Sequence, residues 1–342
     1  MDIALIIEWV VKSAVLIFIS LTGFAYTTLY ERRTLARIQT RIGPNRAGPW
    51  GLFQPVADGV KLIFKEELIP DKADKVLFVL APIITVIPAL IIWAVIPWGD
   101  TVTILGRDIS LVLADINVGV LYLMAVASIA VYGIVIAGWS SNSKYPLLGG
   151  LRSTAQMISY ELTLALSFVV PILLAGAVNA EDINPMSLVD IVRAQGESVW
   201  FVVFQPLGFV IMMIAALAEV NRAPFDMPEA EQELVGGYHT EYSGMKFALF
   251  FMAEYIKMMA VSAIGATLFL GGYLGPFVGR FPWLGPIYLL IKIAVLLFWM
   301  IWMRGTLPRF RYDRLMAFGW KILLPLALLN VFATAVGIVL LG

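Results

Sequence analysis

Eight apolar stretches constrain this chain more than any other feature of its sequence. They cover residues 3–30, 76–97, 117–138, 154–178, 200–219, 247–271, 283–303 and 319–341 of a 342-residue chain. About 20 helical residues cross a hydrocarbon core of roughly 30 Å. Backbone groups in lipid must find their partners inside a helix or a closed barrel. The expected fold is therefore an all-α polytopic membrane protein with about eight transmembrane helices in one membrane domain, 1–342. The first stretch, about 40 Å if wholly helical, must tilt or project from the bilayer. It carries Asp2, no basic cluster and no small-residue cleavage site, so it is expected to be a span and not a secretory signal.

Lys and Arg set the orientation. The loop after the first span holds nine of them, whereas each even-numbered loop holds one. Odd-numbered loops are therefore expected to be cytoplasmic, with both termini on the non-cytoplasmic side. No repeat of 20–50 residues and no inverted duplication is visible, which argues against a two-fold transporter design.

Composition narrows the chemistry. There is no Cys and a single His, His239, with 24 Lys+Arg balancing 24 Asp+Glu. Without Cys the chain ligates no iron–sulfur cluster and builds no Cys-type zinc site. One His cannot provide a bis-histidine haem, and net neutrality gives no case for nucleic acid. No metal site is expected.

In the long first loop, residues 50–65 place Leu52, Val56, Val60 and Phe64 on one helical face and Gln54, Asp58, Lys61 and Lys65 on another. That pattern predicts an amphipathic helix in the membrane interface, with Pro55 in its first turn. It could anchor the loop to lipid or form the lip of an entrance for an amphiphilic ligand. The fifth span runs into an acidic cytoplasmic loop, 219–246. Glu219, Asp226, Glu229, Glu231, Glu233 and Glu241 stand there against Arg222. Interleaved Phe225, Met227, Leu234, Val235 and Tyr238 favour a folded, covered tract over a solvated one. His239 in that loop reads as an ordinary surface residue.

Ionisable groups inside spans are expensive and by default mark a functional path. Glu161 in SYELTLAL and Glu254 in FFMAEYIKMM lie about two turns into the fourth and sixth spans, each beside a tyrosine, Tyr160 and Tyr255. A carboxyl that exchanges a proton is what a relay needs. The competing reading is a static pair, Glu254 with Lys257 at i, i+3. Glu8 and Lys12 read as a snorkelling pair.

Four runs carry a resemblance: YERRTLARIQTRIGPNRAGPWGLFQPVADGVKLIFKE, GWSSNSKYPLLGGLRSTAQMISYELTLAL, AEVNRAPFDMPEAEQELVGGYHTEYSGMKFALFFMAEY and RGTLPRFRYDRLM. Together they resemble the membrane subunits, known in bacteria as H subunits, at the junction with the hydrophilic arm of proton-pumping NADH:quinone oxidoreductases (respiratory complex I). The resemblance implies a quinone passage framed by the first span, the sixth span and the amphipathic helix. Arg32, Arg41, Asp58 and Phe251 would lie along it, with Arg304, Arg309 and Arg311 in support. It also implies an acidic proton path through Glu219, Asp226, Glu229, Glu231, Glu241, Glu254 and Glu161, with Tyr160 and Tyr255 nearby. No cofactor would be bound by this chain. Quinone would be the substrate, and flavin and iron–sulfur clusters would belong to partner subunits. Other peripheral and membrane subunits and membrane lipid would be its partners, in an energy-transducing membrane such as the bacterial plasma membrane. The alternatives are the equivalent subunit of a membrane-bound hydrogenase-related complex, a stand-alone ion-coupled transporter, or a purely structural anchor for a peripheral enzyme.

Overall fold

The computed structural model describes residues 3–104, 106–178, 183–226 and 236–341. Among them, seven helical stretches are long and apolar enough to cross a membrane, and an eighth apolar helix is shorter. Helix α1, Ile3–Ile38, continues past residue 30 into the basic tract. The segment ERRTLARI is mostly strong helix formers and stays helical to Ile38, after which the backbone turns at Thr40, with a φ of 53°. After α1 the chain forms the short amphipathic helix α2, Gln54–Phe64, with its proline in the first turn. Helix α3, Lys75–Ile91, begins where the Asp74 carboxylate accepts the N–H groups of Val76 and Leu77, and a 3-10 turn, Ile92–Val95, extends it.

Two strands not expected from the sequence, β1 (Thr101–Ile104) and β2 (Arg107–Ser110), form an antiparallel hairpin pairing Thr101 with Ser110. Then come α4 (Gly119–Ser140) and α5 (Lys144–Ala177), the latter starting at Lys144 and not at residue 154. A short helix α6 (Leu188–Glu197) precedes a broken element, α7 (Phe201–Phe204) and α8 (Pro206–Glu219). Pro206 lacks the N–H needed to continue α7, so the expected fifth span is two pieces. Helix α8 alone rises only about 21 Å. Helices α9 (Gly244–Phe269) and α10 (Gly285–Thr306) follow. The chain closes with α11 (Tyr312–Phe318), a π-turn (Gly319–Leu323) and α12 (Leu324–Leu341).

Helix α9 is the axis of the bundle; from Tyr255 to Phe269 every side chain on it is buried. Its end is held by Lys292 of α10, whose ammonium donates to the carbonyls of Leu270, Gly272 and Leu274 at 2.7 Å each. Small residues let the other helices approach closely. A Cβ on Gly133 of α4 would collide with Thr85 Oγ1 of α3. On Gly149 of α5 it would stand 2.7 Å from the backbone of Gly237, so that glycine seats the segment leading into α9.

Candidate functional site

Neighbouring residues on a helix point about 100° apart, so Glu254 and Tyr255 face different walls of α9. Each wall borders a cavity. Tyr255 lines a mainly apolar cavity of about 350 Å³ between α1, α2 and α9, together with Phe24, Arg32, Asp58, Phe251 and Met252. Arg32 reaches Asp58 across its mouth at 2.6 Å, and Gln54 donates to the same carboxylate at 3.1 Å. Glu254 lines a smaller cavity of about 40 Å³, with Glu219, Asn221, Lys257 and Thr85 among its walls. That is space for about two or three waters, and the polar groups there could hold them.

Arg222 lines neither cavity, but it contacts Glu254 on the wall of one and Tyr255 on the wall of the other. Its Nε lies 2.5 Å from Glu254, its Nη1 lies 3.4 Å from Glu31 of α1, and its guanidinium carbon sits 4.2 Å from the centre of the Tyr255 ring. Glu31 also pairs with Arg304 of α10. The arrangement corrects one expectation from spacing: Glu254 pairs with Arg222, whereas Lys257 contacts Glu219 of α8 at 2.8 Å. Residues three apart on α9 point to different neighbours here, and each basic group finds an acid on another helix. Glu161 takes a different kind of partner, the hydroxyl of Ser128 on α4. Glu219 and Lys257 are the charged groups that act on it.

The other expected residues divide. Asp226 is buried and pairs with Arg309 at 2.8 Å. Tyr160 is fully buried and donates to the Leu315 carbonyl at 2.9 Å, tying α5 to α11. Glu241 sits in the turn before α9 and lines neither cavity. Arg41 bonds Gln39 at 2.8 Å, outside the walls of the larger cavity. Arg311 is exposed and pairs locally with Asp313 at 3.0 Å. Glu229 and Glu231 lie outside the described residues, as does Glu233.

Spacing alone missed several members. Glu31 reads as the edge of a basic tract until α1 is seen to continue through it. Gln156 of α5 is fully buried and donates to the carbonyls of Ala218 and Phe225 at 2.8 and 2.6 Å, fixing the chain as it leaves α8. A glutamine in an apolar helix was the signal available. His239 is not an ordinary surface residue. Its ring is caged by Tyr238, Phe247 and Phe251 at 5.0, 5.3 and 5.8 Å, and its buried Nδ1 has no hydrogen-bond partner. Burial pushes its pKa down to about 4.

Known proteins match nearly the whole chain. The family described as NADH dehydrogenase matches residues 11–335. An H subunit of the NADH-quinone oxidoreductase of Geobacter sulfurreducens is 53% identical over 323 residues, covering 94% of each chain. The H subunit of the Protochlamydia amoebophila enzyme is 52% identical over 316 residues, 92% of each. That of Thermomicrobium roseum is 50% identical over 330 residues, 94% of this chain and 93% of the other. On that coverage and identity, this chain belongs to the NADH dehydrogenase family, among the H subunits of NADH-quinone oxidoreductases.

Proposed function

We propose that this chain is the membrane subunit of a proton-translocating NADH:quinone oxidoreductase at the junction with the hydrophilic arm. It admits quinone from the bilayer and passes the consequence of quinone reduction to a row of buried carboxylates. Flavin and iron–sulfur clusters reside in partner subunits, and the cytoplasmic loops meet those partners and membrane lipid. Both termini lie on the non-cytoplasmic side, with α7 and α8 together supplying the fifth crossing.

The observation that carries this reading is the shared Arg222 station, in contact with a wall residue of each of two cavities. The larger, apolar one opens between α1 and α2 and suits an amphiphilic ring. Arg32 and Asp58 offer polar contacts at its mouth, and Phe24 and Phe251 offer apolar ones. A change of charge in that chamber acts through Tyr255 on Arg222, and from there on Glu254. Across the smaller cavity the next groups are Lys257 and Glu219, then Glu161. Inside a low-dielectric bundle, each shift of charge along this row is costly unless a proton or a paired side chain moves with it. That linkage is how an uncharged quinone can drive proton movement some distance away.

Replacing Glu161 or Glu254 with Gln tests the row. Either variant should assemble, since Glu254→Gln leaves Arg222 its contact with Glu31. NADH:quinone reductase activity and proton pumping in membrane vesicles should fall together. Full activity in both variants would remove the relay assignment.

A further inference from the structure

Glu161, half-buried, is set apart by its partner from the other acids described inside the bundle. Glu31, Glu219, Glu254 and Asp226 each contact an Arg or Lys. Glu161 instead meets Ser128, from the adjacent helix α4. The Ser128 Oγ also lies 3.0 Å from the carbonyl of Met124, one turn back on its own helix. A serine hydroxyl has one proton to donate and two lone pairs to accept with. It cannot donate to both oxygens at once.

Two arrangements satisfy this geometry. When Glu161 is charged, the Ser128 O–H donates to its Oε1, and the Met124 carbonyl keeps its place in the helix ladder. When Glu161 is neutral, its own O–H donates to Ser128 Oγ, and the Ser128 proton turns to the Met124 carbonyl. Ser128 gains and loses no proton in the exchange; the proton that Glu161 releases or takes up is exchanged with water at this part-buried carboxyl. A cationic partner could not do this, because an ammonium or guanidinium has no acceptor and would be left unpaired when the acid became neutral.

We propose that Ser128 is a positioning residue for Glu161, a hydroxyl rotor that keeps the carboxyl hydrogen-bonded in both of its protonation states. The proposal rests on the relay reading of Glu161, and the charged groups that bear on the same carboxyl are Glu219 and Lys257.

The test is infrared difference spectroscopy on the purified complex containing this chain, taken between two pH values and between the oxidised and reduced enzyme. The carboxylic-acid carbonyl band of Glu161 is assigned by its loss in Glu161→Gln. Ser128→Ala should move that band to higher frequency, because the neutral carboxyl loses its partner. It should also lower quinone reductase activity about tenfold, the loss expected for one hydrogen bond to an ionisable group. Ser128→Cys, a near-isosteric change to a weak donor and acceptor, should move the band the same way. Ser128→Thr, which keeps the hydroxyl, should hold the band in place and stay within about twofold of the parent rate. An unmoved band in Ser128→Ala and Ser128→Cys, or a Thr variant displaced as far as the Ala variant, overturns the rotor and leaves the relay standing. Loss of no band in Glu161→Gln removes the relay itself, and the rotor with it.

Discussion

Removing Arg222 tests whether the charges around it act as one unit. Its side chain is 6% exposed and contacts Glu254 at 2.5 Å and Glu31 at 3.4 Å. Arg222→Met keeps much of the stem and deletes the charge. Glu31 retains Arg304, so the acid that loses its ion-pair contact with Arg222 is Glu254. Breaking one half of a buried pair typically costs about 3–5 kcal/mol, mostly as the penalty on the orphaned charge. The lost ring contact with Tyr255 adds roughly 1 kcal/mol. Because the Arg222 contact compensates the Glu254 charge, neutralising Glu254 in the double variant Arg222→Met/Glu254→Gln should recover most of that. A coupling of roughly 2–3 kcal/mol in the double-mutant cycle is the signature. Large membrane complexes unfold irreversibly, so the assay is the rate of thermal inactivation of NADH:quinone reductase activity, read at one temperature for all four enzymes. A barrier lowered by about 3 kcal/mol speeds inactivation roughly a hundredfold, and the double variant should return to within about tenfold of the parent. Strictly additive effects of the two substitutions would refute the shared Arg222 station.

Two further outcomes are expected. Lys292→Met should destabilise the end of α9 by roughly 2–4 kcal/mol, because three carbonyls lose a donor at once; the same inactivation assay reads it, and an unchanged rate would mean that water replaces the ammonium there. His239 gives a pH signature. Its folded pKa of about 4 lies below the unfolded value of 6.5, so between those values the unfolded chain takes up a proton that the folded chain refuses. Stability is complete above pH 6.5 and is lost as the pH falls, by roughly 2 kcal/mol at pH 5. His239→Phe should flatten thermal inactivation between pH 6.5 and 5, and an unaltered slope in that variant would show that the cage does not control the ring's charge.

The helical class and the rough positions of the long apolar helices were legible because hydropathy is a local property of sequence. Boundaries were not, and for specific reasons. Helix α1 runs on through Glu31 and the arginines because an interface helix needs good helix formers and not apolar ones. The expected fifth span breaks at Gln205 because Pro206 starts a new helix. Of the residues expected along a quinone passage, Arg32, Asp58 and Phe251 line one cavity and Arg41, Arg304, Arg309 and Arg311 do not, while Tyr255, expected on the proton path, lines it too. Which acid faces which base was not legible. Helical spacing puts Lys257 one turn from Glu254, yet tertiary packing gives it to Glu219 and brings Arg222 from beyond α8 to Glu254. His239 misled in the same way, since its cage is assembled by Phe247 and Phe251 of α9.

The pairing pattern bears on where charge can move. Each buried acid held by a cation is part of a unit whose neutralisation would strand that cation in low dielectric. Glu219 with Lys257 and Asp226 with Arg309 are such units. Arg222 differs because it contacts two acids, so it can lean on Glu31 when Glu254 changes, and Glu31 in turn has Arg304. Glu161 differs because its hydroxyl partner can reverse roles. On the proposed reading, these are the two places among the described residues where a charge can alter without leaving a bare partner behind. They lie at the ends of the row, one against the larger cavity's wall and the other beyond Glu219 and Lys257. The fixed Glu219–Lys257 pair between them sets the charge environment in which Glu161 changes state on the proposed reading.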